Sequence, residues 1–71
     1  PEKERSRLLA KASRVRQDLE KARTKLANRS FVSRAPAAVV DEERRRLAAC
    51  EALWADLEKQ YRERVGDELP H

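Results

Sequence analysis

Residues 8–26 read LLAKASRVRQDLEKARTKL, and the spacing of apolar and small side chains in this stretch decides the fold. These side chains recur at alternating steps of four and three, at Leu8, Ala12, Val15, Leu19, Ala22 and Leu26. The alternation is the heptad period of a coiled-coil seam. Because neither glycine nor proline interrupts residues 2–27, we predict one helix over residues 3–27, roughly 37 Å long at 1.5 Å per residue.

A second heptad run follows in the other half of the chain. Its members are Val40, Glu43, Leu47, Cys50, Trp54, Leu57, Tyr61 and Arg64. We predict a second helix over residues 36–65. Pro36 suits a first helical turn, where its missing N–H would have no partner, and Gly66 suits a helix end. Residues 66–71 are predicted to be a frayed tail.

The two predicted helices have similar lengths and are joined by a short apolar turn over residues 28–35. They are therefore expected to pack antiparallel, which makes residues 1–71 a single all-α domain, a two-helix antiparallel coiled-coil hairpin. One register gives the seam pairs Ala22–Leu47, Leu19–Cys50, Val15–Trp54, Ala12–Leu57 and Leu8–Tyr61. The same register sets Leu26 opposite Glu43, so a shifted register near the turn stays open.

The composition narrows the possible functions. Charged residues make up 42% of the chain and the net charge is +4, a basic excess that favours acidic partners such as nucleic acid. One cysteine and one histidine supply neither an internal disulfide nor a set of metal ligands. No apolar run reaches membrane length, and the first residues given do not show the pattern of a signal peptide. We predict a non-catalytic, cytoplasmic piece of a longer protein, without cofactor, metal or membrane contact and monomeric as an isolated hairpin.

Positive charge is concentrated on the first helix. Residues 1–29 hold ten Lys or Arg against four Asp or Glu, whereas residues 30–71 hold seven against nine. Five of the basic residues line one flank of the seam: Arg7, Lys11, Arg14, Lys21 and Lys25. Such a stripe can follow a phosphate backbone. Alternatively, the same charges pair with the acidic second helix across the seam.

The connector between the helices is unusually apolar for a turn. It carries Phe31 and Val32, followed by Ala35, and Val39 and Val40 come directly after it. These side chains either close the hinge as a small core or form an exposed apolar tip that touches a partner.

The block from Lys25 to Leu47 resembles the C-terminal arm of valyl-tRNA synthetases. The resemblance rests on the run Lys25-Leu26-Ala27-Asn28, then Phe31-Val32-Ser33-Arg34-Ala35-Pro36, then Val39-Val40 and the charged run from Asp41 to Arg46. In that family the turn reads Leu-Ala-Asn, Phe-Val-x-Lys-Ala-Pro, Val-Val and Glu-Arg. Arg34 stands where lysine is common, a change that keeps the charge.

The resemblance implies an antiparallel coiled coil that contacts the elbow of tRNA, where the D and T loops meet. The parent enzyme would join valine to its tRNA with ATP and magnesium, and the arm itself would hold no catalytic residue or cofactor. The partners would be tRNA, bound by shape and phosphate, and the remainder of the synthetase. The predicted RNA-binding residues are Arg7, Lys11, Arg14, Lys21, Lys25, Arg34 and Arg45.

Two other functions fit parts of the sequence. A hairpin that contacts protein or the ribosome, such as the C-terminal extension of some translation-associated ATPases, shares the shape and the basic charge. The Phe-Val-x-Arg-Ala-Pro turn distinguishes the two. A dimerisation coiled coil is the third possibility, and it predicts a solution mass near twice that of one chain.

Overall fold

The protein is a helical rod, seen in a computed structural model that describes residues 2–70. Its helices are α1 (Glu2–Ala27), α2 (Arg29–Arg34) and α3 (Ala37–Val65). The rod measures 47 × 15 × 14 Å. Within residues 2–70, none of the helices combines the length and the hydrophobicity that a membrane span needs. The first and last positions of the predicted 1–71 domain, Pro1 and His71, lie outside the described residues.

Two ion pairs between α1 and α3 show that these helices are antiparallel. Glu4 contacts Arg64 at 2.6 Å, and Lys25 contacts Glu43 at 3.9 Å. In an antiparallel pair of helices, the residue numbers of facing partners add up to a constant. The sum is 68 for both ion pairs and 69 for every predicted seam pair. The two pairs therefore fit one antiparallel alignment of α1 and α3, and the predicted all-α antiparallel hairpin is confirmed. We call the Glu4–Arg64 end the base and the α2 end the tip.

The base holds the main apolar cluster of the described residues. Its buried members come from both long helices and from the tail: Leu8, Ala12, Leu57, Tyr61 and Leu69. Trp54 packs against this cluster but stays half-buried. The seam thus buries apolar area where the heptad pattern placed it, and this burial is the main favourable term for a two-helix rod.

The tail after α3 is folded back rather than frayed. Gly66 caps α3 in the left-handed conformation, with φ 82°, and its N–H donates to the Arg62 carbonyl at 3.0 Å. Leu69 is only 4% exposed and lies in the base cluster. The predicted frayed tail is therefore wrong for Leu69: the chain reverses at Gly66 and gains the burial of a leucine, about 1.5–3 kcal/mol.

The predicted turn over residues 28–35 contains the short helix α2. Asn28 caps it: its Oδ1 accepts hydrogen bonds from the Ser30 and Phe31 amides at 3.0 and 3.3 Å. Asn28 directly follows the last residue of α1, and its extended backbone is that of an N-cap of α2. The cap provides partners for amides that a helix start leaves unpaired.

Pro36 separates α2 from α3. The residue before it, Ala35, is extended, as proline requires of its neighbour, so α2 ends there. The Pro36 carbonyl then accepts hydrogen bonds from the Val39 and Val40 amides and opens α3. Val40 is buried, whereas Val39 is 46% exposed. The apolar tip therefore closes the hinge only in part and leaves some of its apolar surface in solvent.

Candidate nucleic-acid interface

Five basic side chains of α1 lie on one flank of the seam, and we call them the basic row: Arg7, Lys11, Arg14, Lys21 and Lys25. All five are exposed. Arg7 pairs with Glu4 of its own helix at 3.9 Å, and Lys25 pairs across the seam with Glu43. Among the described residues, the other three members have no ion-pair partner. Pairing with the second helix, the alternative explanation of the row, therefore applies to Lys25 alone.

Two shallow grooves open along this flank between α1 and α3. The groove nearer the base is about 350 Å³, and its walls include Lys11, Arg14 and the exposed Leu53. The groove nearer the tip is larger, about 720 Å³, and its walls include Lys21 and Lys25. Four cations of the row, Lys11, Arg14, Lys21 and Lys25, thus border open grooves on this flank.

The opposite flank is covered only in part, because a groove of about 440 Å³ opens beside Arg16 and Glu20. At the base, Pro70 of the tail lies beside Leu9, Arg16 and Trp54 around a small groove of about 190 Å³. Farther along, Arg23 pairs with Glu20 at 3.3 Å. The folded tail therefore covers part of this flank and leaves the basic row uncovered.

The structure does not bring the two other predicted site residues to the basic row. Arg34 is the last residue of α2, at the tip. Arg45 lies midway between the seam residues Glu43 and Leu47, so helix geometry points it away from α1. Both are exposed and form no ion pair within residues 2–70. They are available to a ligand, but on other faces of the tip.

Arg46, which sequence reasoning did not select, lines the larger groove together with Lys21 and Lys25. It also approaches the buried Glu43 carboxylate at 3.8 Å. A signal was present in the sequence, because Arg46 precedes the seam residue Leu47 and so flanks the seam. The run of three arginines hid this difference between Arg45 and Arg46.

At the base, Arg64 anchors α3 to α1 next to the basic row. Its Nη1 donates a hydrogen bond of 2.6 Å to Glu4 Oε1. This hydrogen bond lowers the pKa of the Glu4 carboxyl, and the positive charges of Arg64 and Arg7 act in the same direction. The pair therefore links the first turn of α1 to the last turn of α3.

Comparison with known families identifies this rod. The family model described as the valyl tRNA synthetase tRNA binding arm matches residues 2–64. The chain belongs to this family. The match covers nearly all of both long helices and the tip. It confirms the resemblance found in the turn motif. The same match favours this family over the extensions of translation-associated ATPases.

Curated relatives agree with the family model. The arm is 46% identical over 57 residues to a valine–tRNA ligase of Xanthomonas oryzae pv. oryzae and 42% identical over 57 residues to one of Dechloromonas aromatica, in each case over 80% of the arm. It is 38% identical over 68 residues to a valine–tRNA ligase of Nitratidesulfovibrio vulgaris, over 92% of the arm. The arm spans only 6–8% of the length of these relatives. No solved structure matches it significantly.

Proposed function

We propose that the arm binds the elbow of tRNA through its basic row and so supports the attachment of valine to tRNA by a longer synthetase. The observation that carries this proposal is that Lys11, Arg14 and Lys21 are exposed on one open flank without ion-pair partners among the described residues. A phosphate can approach these cations without first displacing a carboxylate. Each such contact releases counterions from the RNA and so contributes affinity.

The row supports recognition of shape rather than of sequence. Lysine and arginine on an exposed helix flank reach phosphates, and phosphate contacts position a protein without reading bases. Double-stranded RNA is bound largely in this way. An elbow shared by all tRNAs suits such a surface, and selection of the tRNA for valine would then lie with other parts of the synthetase.

The arm contributes binding rather than chemistry in this proposal. The relatives are ligases, and the reaction with valine, ATP and magnesium would take place in the large remainder of the protein, in the cytoplasm. The 47 Å rod would project from that remainder and hold the distant corner of the tRNA. Fixing a substrate at a second point reduces the entropy that is lost when the reacting groups are brought together.

A gel-shift titration tests this function. The chain is titrated with unmodified, folded tRNA and, as the matched control, with single-stranded RNA of equal length. We expect tighter binding to tRNA and a linear fall of log affinity with log salt, with a slope of about 0.7–0.9 per phosphate contact. Equal binding to both RNAs would show only a general attraction of a basic chain for RNA.

A further inference from the structure

Glu43 is an unusual residue for a coiled-coil seam. Seam positions are normally apolar. Glu43 is nevertheless only 6% exposed, and no other charged residue within residues 2–70 is buried. Replacing a buried charge by a hydrophobic side chain is often neutral or stabilising. Stability alone therefore does not explain a glutamate here, and its surroundings suggest another role.

Glu43 lies beneath two cations that come from opposite helices. Its Oε2 is 3.9 Å from Nζ of Lys25 on α1 and 3.8 Å from Nη1 of Arg46 on α3. Both cationic side chains remain more than half exposed, at 53% and 57%. One carboxylate thus lies close to two long cationic side chains from opposite helices, and more than half of each of these side chains stays exposed.

The same groove contains a third cation. Lys21 lines it with Lys25 and Arg46. Asp18 and Glu20 stand on its walls as well, but Glu20 already accepts a hydrogen bond from Arg23 at 3.3 Å. The groove of about 720 Å³ therefore brings together three cations from two helices and three carboxylates, of which Asp18 has no ion-pair partner among the described residues.

We propose that Lys21, Lys25 and Arg46 form a seat for a backbone phosphate of the bound RNA, and that Glu43 is the positioning residue beneath it. This inference rests on the proposed tRNA binding and adds α3 to an interface otherwise formed by α1. An ion pair that orders a long side chain in advance lowers the entropy cost of binding. Glu43 would thus act on RNA only through the two cations it restrains.

Two arginines of α3 provide a matched pair of variants. Arg46 and Arg44 each pair with a carboxylate three residues earlier, Arg46 with Glu43 and Arg44 with Asp41, but only Arg46 lines the groove. We expect Arg46→Gln to weaken tRNA binding about three- to tenfold, as for one charge-assisted contact, and to reduce the salt slope by about 0.7–0.9. Arg44→Gln should leave the slope unchanged. Equal effects of the two substitutions would overturn the phosphate seat.

Glu43→Gln tests the positioning role through the sign of its effect. Removing a carboxylate near RNA raises affinity if the carboxylate only repels phosphate or competes for the cations. If Glu43 positions Lys25 and Arg46, the substitution weakens binding, and it weakens it less when Arg46→Gln is already present. Tighter binding, or equal losses in both backgrounds, would overturn the positioning role.

Circular dichroism at 222 nm on every variant shows whether the helices persist, and Glu43→Leu serves as a second variant with a seam-compatible side chain. We expect Glu43→Leu to melt no earlier than the wild type and still to bind tRNA more weakly. A wild-type chain that does not prefer tRNA would refute the proposed function itself. Wild-type preference combined with undiminished binding by Glu43→Leu would refute only this inference.

Discussion

The base and the tip of the hairpin use the same heptad seam for different purposes. At the base, five buried apolar residues from α1, α3 and the tail form one cluster. The tip half of the seam also has the buried Glu43, the exposed Val39 and an open groove of about 720 Å³. Its buried apolar residues are Leu19, Ala22, Val40 and Cys50. The difference shows that a buried charge occurs only in the tip half of the described seam, which agrees with the proposed contribution of this half to RNA binding.

The use of one seam for both stability and ligand contact follows from the geometry of a two-helix rod. A rod about 15 Å thick has a single seam, so it cannot place a binding cleft above a separate core. Apolar burial in the seam and the proposed ligand contact on its flank must therefore share the same two helices. At the base, the tail adds a further buried leucine to the seam.

Truncating the base cluster should have the largest effect on stability. Leu57 is 6% exposed and Leu53, one turn earlier on α3, is 54% exposed. We expect Leu57→Ala to lower the free energy of unfolding by about 2–5 kcal/mol, enough to unfold a small hairpin, and Leu53→Ala to change it by less than about 0.5 kcal/mol. Thermal melts followed at 222 nm measure both. Similar losses would mean that the base cluster is not the stabilising unit.

The folded tail should have the next largest effect. Leu69→Ala removes the buried side chain that joins the tail to the base, so we expect a loss of about 1.5–3 kcal/mol. Glu68→Ala, at the exposed neighbouring position, is the matched control and should leave the melt unchanged. A Leu69→Ala variant that melts with the wild type would show that the tail is frayed after all.

A smaller, local effect is expected at the tip. Asn28→Ala removes the cap of α2, a change that costs about 1 kcal/mol at a helix start. The Ser30 and Phe31 amides, which donate hydrogen bonds to Asn28 Oδ1, should then exchange their hydrogens faster. Exchange at the Leu57 amide in the base should stay unchanged. Equal acceleration at Leu57 would show that the tip and the base unfold as one unit.

The smallest effect concerns the Glu4–Arg64 pair at the base. Because the hydrogen bond from Arg64 lowers the pKa of Glu4, the pair stabilises the fold above the ordinary carboxyl pKa of 4.5 and loses this effect as pH falls through the lowered value. Melting temperatures of the wild type and Arg64→Gln should therefore differ slightly at pH 6 and converge at low pH. A difference that grows below pH 4 would contradict this assignment.

The sequence predicted the base better than the tip because periodicity carries most of the information. Two uninterrupted heptad runs specify α1, α3 and their register. Helix α2 has six residues, too few for a periodic pattern, and its one local signal, Asn28, also fits a helix end. Leu69 follows a helix-stopping glycine and belongs to no period, so only the three-dimensional structure reveals its burial.

The candidate site shows the same limit. Heptad spacing places Arg7, Lys11, Arg14, Lys21 and Lys25 on one flank. It does not show which of these cations has a carboxylate partner, since ion pairing depends on side-chain conformation across the seam. Nor did it separate Arg46 from Arg45, because three consecutive arginines look equivalent until the position of α1 is known.

Two double charge reversals test the central claim most directly, that one flank of the rod binds tRNA. Arg14→Glu with Lys21→Glu changes the basic row, and Arg16→Glu with Arg23→Glu changes the opposite flank of the same helix. Both variants lower the formal net charge from +4 to 0, so their overall electrostatics match. We predict that only the first loses tRNA affinity by more than about tenfold and reduces the salt slope by about 1.4–1.8, with helicity intact in both. Equal losses from the two variants would contradict the account, because affinity would then follow net charge rather than a face.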